Sequence, residues 1–259
     1  MNSKLNNYEM NLDMNATNFV PLTPLSFLER TKEVFPDYTS IVYGDRTYTW
    51  SETYSRCLKF ASALEKHGIG LGDTVSIIAP NTPEIFEAHY AVPMTGAVLN
   101  AINTRLEADT IAYILDHGDA KALIADTQLS PTVNEALAKS NKEILVIDIE
   151  DPQADLKAGE GDPLGKCNYE EFLAQGDMDY KWRRPEDEWQ AISLNYTSGT
   201  TGRPKGVVYH HRGSYLMAMG SVIAWNMPNH LKYLSAVPLF HCNGWCYPWT
   251  IAALAGTFF

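Results

Sequence analysis

Short apolar runs alternate with stretches in which apolar residues recur every three or four positions between residues 50 and 147. The short runs predict buried strands, and the periodic stretches predict amphipathic helices. The predicted strands cover 74–79, 97–102, 121–125 and 144–147. The first predicted helix ends at Gly68 and has one apolar face, formed by Tyr54, Cys57, Leu58, Ala61 and Leu64. The second begins at Asn81-Thr82-Pro83-Glu84. The third covers 109–117 and ends at Gly118, and the fourth covers 131–139. This alternation predicts an α/β fold of mostly parallel βαβ sheets flanked by helices.

The segments outside this core carry other patterns. They predict, in chain order, an extended arm over 1–25, a helix over 26–34, a hairpin of strands 41–43 and 47–49, a surface connector over 148–188 with one helix at 169–174, and a new strand at 189–196. Ser51, directly after the hairpin, is the predicted cap of the helix that carries Tyr54 to Leu64. We therefore expect two units. Residues 1–188 form the arm and a first α/β subdomain, and residues 189–259 form an incomplete second α/β subdomain.

The last 27 residues, 233–259, contain no Asp, Glu, Lys or Arg. A transmembrane helix is one interpretation, but Pro238 and Pro248 interrupt the run, and the stretch beyond Pro248 is shorter than the roughly 20 residues that a span needs. A buried region of a larger domain, cut off mid-fold, fits better. We then expect four aromatic side chains to lose their cover and expose apolar surface. They are Trp245, Trp249, Phe258 and Phe259.

Composition excludes several classes of protein. The 259 residues are 45% hydrophobic and 20% charged, which is typical of a globular chain. A net charge of −11 argues against nucleic-acid binding and against a polybasic membrane patch. Four cysteines are too few for a disulfide scaffold, and residues 1–17 show no secretory signal. These features predict a cytoplasmic protein with free thiols, and they leave its oligomeric state open.

The most informative segment is YTSGTTGRPKGV at 196–207, directly after a predicted strand. Its glycines allow the backbone to approach a ligand closely, and successive amides in such a turn bind anions. Its hydroxyls, with Arg203 and Lys205, add donors and positive charge. A flexible surface loop is the alternative, but it does not explain the Pro-Lys-Gly that comes after the hydroxyl run. The segment therefore predicts a polyphosphate site, although it is not the common G-x-x-x-x-G-K-[ST] loop.

This segment resembles the signature phosphate loop of the adenylate-forming superfamily, which includes acyl-CoA synthetases, luciferases and adenylation domains of peptide synthetases. Other segments are similar to that superfamily. They are RTYTW at 46–50, GDTV at 72–75 and APN at 79–81. Two further segments, GAVLNAIN at 96–103 with Arg105 and Leu106, and PLFHCNG at 238–244, are typical of its acyl-CoA synthetase branch. The resemblance covers nearly the whole chain and about the first half of the family.

The resemblance implies a chemistry. Family members use ATP and Mg²⁺ to convert a carboxylic acid into an acyl-adenylate, and the synthetases then transfer the acyl group to coenzyme A. By motif match, the residues expected to bind the ATP phosphates are Thr197, Ser198, Gly199, Thr200, Thr201 and Lys205. Gly202 and Gly206 are expected to shape the turn, and Arg203 stands at a variable position.

The segment with His241 is the second candidate site. The resemblance places His241 between the acyl pocket and the thiol tunnel, where it contacts the substrate carboxylate or gates the tunnel. Asn243, Gly244 and Trp245 are expected to line the acyl pocket. A zinc site of His241, Cys242 and Cys246, with His210 or His211, is the rival interpretation. It lacks a second cysteine pair, so we predict no metal ligands here.

The resemblance also implies that several functional parts lie outside this sequence: the adenine, ribose and Mg²⁺ residues, and a small domain with a catalytic lysine. We therefore expect an acyl-CoA synthetase for a short- or medium-chain fatty or aryl acid, of which the 259-residue chain alone is inactive. The alternatives are an adenylating enzyme that does not use coenzyme A, a degenerate nucleotide-binding module, and a plain nucleotide-binding protein. A peroxisomal address, if the protein has one, would lie at a C-terminus.

Overall fold

The computed structural model describes residues 6–8, 10–157, 159–197 and 203–259. Helices and strands alternate through most of it, as the sequence predicts. The helices are α1 Leu25–Val34, α2 Trp50–Lys66, α3 Pro83–Met94, α4 Ala108–His117, α5 Ser130–Lys139, α6 Tyr169–Ala174, α7 His211–Ala224 and α8 Tyr247–Ala253. The strands are β1 Thr39–Tyr43, β2 Arg46–Thr49, β3 Thr74–Ile78, β4 Val98–Ala101, β5 Ala120–Asp126, β6 Leu145–Ile149, β7 Ala191–Thr197, β8 Lys205–His210, β9 Lys232–Tyr233 and β10 Thr257–Phe258.

Six of these strands form one sheet, in the order β6-β5-β3-β4-β7-β8. All neighbours are parallel except β7 and β8, which pair antiparallel. All five residues of β3 are buried, as expected for a central strand with both faces covered. The predicted α/β fold with mostly parallel βαβ units is therefore confirmed. The sequence analysis missed β8, because its start lies within the glycine-rich segment.

A smaller sheet has the order β2-β1-β10-β9 and draws its strands from both ends of the chain. The predicted hairpin of β1 and β2 is confirmed, and β10 adds to it in parallel, with Phe258 beside Ile41. Trp249 and Phe258 are buried, so the expectation that they lose their cover is wrong, whereas Trp245 and Phe259 are 51% and 40% exposed. In the described residues, no helix is long and apolar enough to cross a membrane.

Helix α3 packs between the two sheets, and each of its residues is buried. The ring of Phe86 lies 5.1 Å from that of Phe258, and the hydroxyl of Tyr90 donates a 2.7 Å hydrogen bond to the Pro248 carbonyl. These contacts hold the C-terminal segment against the centre of the fold. The two-subdomain division stays a prediction, and its boundary at residue 189 does not separate the sheets, since strands from both sides share each of them.

Helix α2 begins with a capping box, and the capping residue is Thr49 rather than the predicted Ser51. The backbone amide of Glu52 donates to the Thr49 hydroxyl, and the Glu52 carboxylate accepts from the Thr49 amide at 2.7 Å. The helix starts at Trp50, which is fully buried. Ser51 therefore lies one residue inside the first turn, where its side chain cannot cap the helix.

A buried group of charged side chains lies at the carboxyl ends of β5 and β6. Arg46 donates to Glu84 at 2.6 Å, and the Tyr43 hydroxyl donates to Asp151 at 2.6 Å. The pKa of Asp126 is raised to about 6, chiefly by burial, with a contribution from the nearby carboxylates of Asp151 and Glu84. Its Oδ2 atom has no hydrogen-bond partner in the part of the chain that the structure describes. This group ties the hairpin to the main sheet.

Candidate functional site

A cleft of about 590 Å³ opens at the carboxyl ends of β4 and β7. We name it the strand-end cleft. Its lining residues are Asn100, Ala101, Ile102, Asn103, Leu106, Thr110, Ile114, Asn195, Tyr196, Thr197, Pro204, Val207, Tyr209, Phe240, His241 and Cys242. In open α/β sheets, ligands bind at the carboxyl ends of the strands. The position of the cleft therefore makes it the first candidate site, and it includes Thr197 and His241 from the sequence analysis.

The two ends of the predicted phosphate loop lie side by side at this cleft. Thr197 is the last residue of β7 and Lys205 is the first of β8, and the antiparallel register places them opposite each other. Both are exposed, so a hydroxyl and an ammonium face solvent together. The remaining loop residues of the prediction, Ser198, Gly199, Thr200, Thr201 and Gly202, lie outside the described residues.

Gly206 has a different place from the one expected. It lies within β8 opposite Tyr196, rather than in the turn. A Cβ atom there would approach Cδ1 of Leu194 to 2.9 Å, which is closer than side chains tolerate. A side chain at this position would therefore require the end of the Leu194 side chain to move.

Helix α4 contacts both flanks of the loop. Nδ1 of His117 lies 2.7 Å from the hydroxyl of Tyr196, the residue before Thr197. The ring of Tyr113 stacks on that of His117, and the guanidinium of Arg203 lies 5.5 Å from the centroid of the Tyr113 ring. Helix α4 therefore contacts a residue on each side of the loop, Tyr196 before it and Arg203 within its second flank.

His241 is exposed and lines the strand-end cleft. The segment before it is held by Asn81, which lies shortly after β3. The Asn81 side chain donates to the Val237 carbonyl at 2.9 Å and accepts from the Leu239 amide at 2.8 Å. Nε2 of His241 lies 3.9 Å from Sγ of Cys242. The imidazole is therefore presented to the cleft by a braced backbone.

Residues 242–246 form a left-handed turn, which is rare for L-residues. Their φ angles are 48° for Cys242, 54° for Asn243, 56° for Gly244, 58° for Trp245 and 63° for Cys246. The left-handed helical conformation costs about 1–2 kcal/mol for each residue other than glycine. Such strain persists only where surrounding contacts fix the backbone, and it is concentrated at functional sites.

This turn separates the predicted acyl-pocket residues into two groups. Trp245 is half exposed and lines a second cleft, which is described below, whereas Asn243 and Gly244 are buried. Oδ1 of Asn243 accepts hydrogen bonds from Ser193 and Asn195 of β7, both at 2.8 Å. A Cβ atom on Gly244 would lie 2.6 Å from a methyl group of Leu239. The described structure therefore gives Asn243 and Gly244 a supporting position behind the turn.

A second cleft of about 500 Å³ lies between β8, α7 and the left-handed turn, and we name it the helix cleft. Its lining residues are Val208, Tyr209, His210, Gly213, Ser214, Met217, Cys242, Trp245 and Cys246. It is largely apolar, and it shares Tyr209 and Cys242 with the strand-end cleft. The Ser214 hydroxyl is buried there without a hydrogen-bond partner among the described residues.

The Cys246 thiol and the Tyr209 phenol, which both line the helix cleft, are protonated. The pKa of Cys246 is raised to about 12, chiefly by burial, with a smaller contribution from the neighbouring Cys242. Burial also raises the pKa of Tyr209 to about 12, together with its hydrogen bond to Cys242. At neutral pH these two groups between the clefts are therefore uncharged.

The described residues do not support the zinc site that was the rival interpretation of the sequence. Among the described residues, no group of three or more His, Cys, Asp or Glu side chains could hold a metal ion. Nδ1 of His211 bonds to the Thr23 hydroxyl at 2.9 Å, and Nδ1 of His210 accepts from the Gly213 amide. None of the residues that line the two clefts is a carboxylate, so the described residues do not fit an acidic Mg²⁺ site.

The sequence analysis missed several residues that support the site. They are Asn81, Tyr113, His117, Ser193 and Asn195. Ser193 and Asn195 carry one readable signal, because polar side chains that alternate with apolar ones along a buried strand need buried partners. Asn81 stands in the APN segment noted above, but nothing in that segment indicates its distant partners, and the same holds for Tyr113 and His117.

Comparison with known proteins agrees with this geometry. The hop acetate–CoA ligase (Humulus lupulus) is 50% identical over 254 residues, which are 95% of this chain and 45% of that protein. A peroxisomal acetate/butyrate–CoA ligase of Arabidopsis thaliana is 47% identical, over 93% of this chain and 44% of that protein. The chain thus spans less than half the length of the curated relatives that it matches.

Solved structures share the fold. A long-chain-fatty-acid–CoA ligase from Archaeoglobus fulgidus superposes with a TM-score of 0.79 at 18% identity, over 93% of this chain and 47% of that one. The anthranilate–CoA ligase in complex with anthranoyl-AMP gives 0.76 at 23% identity, over 94% and 46%. The sequence profile of the family described as AMP-binding enzyme matches residues 28–258. With this match over most of its length, the chain belongs to the AMP-binding enzyme family.

Proposed function

We propose that the complete protein activates a carboxylic acid with ATP through an acyl-adenylate and then transfers the acyl group to coenzyme A. The observation that carries this proposal is the pairing of Lys205 with Thr197, which lines the strand-end cleft together with His241. The acid is a short-chain fatty acid, because relatives at 46–50% identity are named acetate–CoA, acetate/butyrate–CoA and 2-methylpropanoate–CoA ligases. The names of these relatives thus restrict the proposed substrate to short-chain fatty acids, whereas the sequence analysis also allowed medium-chain and aryl acids.

The first step needs a carboxylate to approach a polyanion. One carboxylate oxygen attacks the α-phosphorus of ATP, the bond from that phosphorus to the β-phosphate oxygen breaks, and pyrophosphate leaves. Lys205 and the hydroxyl of Thr197 bind the leaving phosphates and neutralise their charge, as fixed donors do at developing anions. The second step is attack of the coenzyme A thiol on the acyl carbonyl, which releases AMP.

We assign the two clefts to the two parts of the reaction. The strand-end cleft holds the reacting groups, because it joins Thr197 to His241. The helix cleft holds the alkyl chain, because Val208, Met217 and Trp245 make its walls apolar. His241 contacts the substrate carboxylate or gates entry of the thiol. Mg²⁺ accompanies the ATP phosphates, and since the described clefts offer no carboxylate, its protein ligands belong to the remainder of a full-length enzyme.

The test compares the chain alone with a chimera. The chimera joins residues 1–259 to the half of the hop acetate–CoA ligase that lies beyond the aligned region. We expect little or no acid-dependent exchange of pyrophosphate into ATP for the chain alone, and clear exchange with acetate or butyrate for the chimera. Strong exchange by the chain alone would overturn its assignment as one part of the site. A folded chimera without exchange would overturn the proposed function.

The second candidate function is a non-catalytic nucleotide-binding module, and the observation that favours it is the absence of a carboxylate from the lining of either described cleft. ATP binding by the chain together with an inactive, folded chimera would support this candidate. Adenylation without thioester formation would instead favour an enzyme that does not use coenzyme A. We propose two locations for the protein, the cytoplasm and the peroxisome. The second is included because two of the relatives are named peroxisomal.

A further inference from the structure

The left-handed turn 242–246 forms the wall between the two clefts. Cys242 lines both of them, and Trp245 and Cys246 line the helix cleft. Asn243 points away from this wall and is completely buried against β7. The orientation of the wall therefore depends on how the turn is fixed to the strand behind it.

The Asn243 carboxamide makes that connection. Its Oδ1 atom accepts from the Ser193 hydroxyl and from Nδ2 of Asn195, at 2.8 Å each. Ser193 and Asn195 are two residues apart on β7, so their side chains share one face of the strand. Thr197 lies two residues further along the same strand, at the start of the phosphate loop. One amide oxygen thus links the wall between the two clefts to the strand that ends at the loop.

The hydrogen bonds use Asn243 in a particular way. Only its oxygen is engaged, since Nδ2 has no partner among the described residues. Its backbone has a φ of 54° and a ψ of 40°, a conformation that asparagine tolerates better than most residues. The backbone requirement and the acceptor requirement are therefore separable by substitution. Glycine satisfies the first, and aspartate satisfies the second.

We propose that Asn243 is a positioning residue that sets the shape of the helix cleft, the proposed site of the acid's alkyl chain, by fixing the left-handed turn to β7. It touches no reacting atom. The part of this inference that concerns substrate rests on the proposed function. The part that concerns the turn rests on the hydrogen bonds alone and is tested without any activity.

The first test uses the 259-residue chain and thiol labelling. Cys246 is 3% exposed in the turn, and Cys57, fully buried in α2, is the internal control. In Asn243→Gly, two buried donors lose their acceptor, and the turn opens more often. We expect the rate of maleimide labelling of Cys246 to rise about tenfold, with Cys57 unchanged and Asn243→Asp within about threefold of the original chain. Equal labelling of Cys246 in Asn243→Gly and the original chain would overturn the inference.

The second test uses the chimera and a series of acetate, butyrate and hexanoate. We expect Asn243→Gly to raise the KM for the preferred acid about tenfold and to weaken the preference among the three acids, while the KM for ATP stays within about twofold. Asn243→Asp should restore most of the acid KM. A uniform loss of kcat with unchanged KM values would show that Asn243 serves stability only, and would contradict the proposal.

A double-mutant cycle tests the partner. Ser193→Ala removes one of the two donors, and we expect an increase of about threefold in acid KM. In the Asn243→Gly background, Ser193→Ala should add little, because the acceptor is already gone and Ser193 keeps only the 3.3 Å hydrogen bond that it accepts from Asn195. Additive effects would contradict the link. If the chimera activates no acid, the proposed function fails, and the labelling result still decides the place of Asn243.

Discussion

The hydroxyl of Tyr196 lies 2.7 Å from Nδ1 of His117, although the two residues are 79 positions apart. Tyr196 directly precedes Thr197 at the phosphate loop, and His117 ends helix α4. Burial raises the pKa of Tyr196 to about 12, and the neighbouring Tyr113 contributes, so the phenol stays protonated as a donor. This contact connects one end of the loop to a helix that the loop motif does not include.

Removing that contact should weaken ATP binding. We expect Tyr196→Phe and His117→Ala each to raise the KM of the chimera for ATP about threefold to tenfold, because one hydrogen bond that orients the loop is lost. The double variant should be no worse than the single ones. His67→Ala is the matched control, since His67 is bonded to Gln175 rather than to any residue of the loop or of α4. An unchanged KM for ATP in both single variants would show that the contact between His117 and Tyr196 does not orient the loop.

Lys205 should dominate the charge at the loop. A charge-assisted hydrogen bond contributes about 1.5–3 kcal/mol, so Lys205→Ala should slow adenylation by the chimera about 10- to 100-fold or more. Lys181→Ala is the control, because Lys181 is exposed in the connector before β7. The rate is measured by pyrophosphate exchange at saturating acid. Wild-type exchange in Lys205→Ala would show that the triphosphate binds elsewhere.

Thr49 and Ser51 give a matched pair for stability. Thr49→Ala removes the capping box of α2, and we expect the free energy of unfolding to fall by about 1 kcal/mol. Ser51→Ala should change it by less than about 0.5 kcal/mol, because the Ser51 side chain caps nothing. Urea denaturation of the 259-residue chain measures both. A larger loss in Ser51→Ala than in Thr49→Ala would mean that α2 begins elsewhere.

Asp126 should make stability depend on pH. Its pKa rises from an ordinary value of 3.8 to about 6 in the folded chain, so the folded state holds the proton more tightly. The stabilisation is complete below about pH 4 and is lost as the pH rises through about 6. Asp126→Asn should therefore be more stable than the original chain at pH 7.5, by about 1–2 kcal/mol, and equal to it near pH 4.

The Asp126→Asn variant is its own control for the neighbouring turn. The substituted side chain keeps a carbonyl oxygen as acceptor for the Gln128 amide, which Oδ1 of Asp126 binds at 3.0 Å, so the cap of that turn is preserved. Unfolding is measured by urea titration at several pH values from about 3 to about 8, the range that brackets both pKa values. A stability difference that does not vary with pH would show that folding does not raise the pKa of Asp126.

Much of the architecture is readable from local pattern. The compact run at 74–79 and the helical spacing from Tyr54 to Leu64 each report burial within a few residues, and both elements form as predicted. The phosphate motif is also local, since its glycines, hydroxyls and lysine are adjacent in the chain. The place of Ser51 shows the limit of such patterns, because two neighbouring hydroxyl residues compete for one cap and the geometry of the preceding hairpin selects Thr49.

The sequence by itself determined the alternating α/β order, the hairpin at the start and the family to which the glycine-rich loop points. Only the tertiary structure decided that β10 completes the first hairpin's sheet, that His117 supports Tyr196, and that Asn243 is buried behind the wall that it was expected to line. The physical reason is distance along the chain. Periodicity and motifs record interactions between near neighbours, whereas these contacts join residues 48 to 217 positions apart and exist only after the elements have packed.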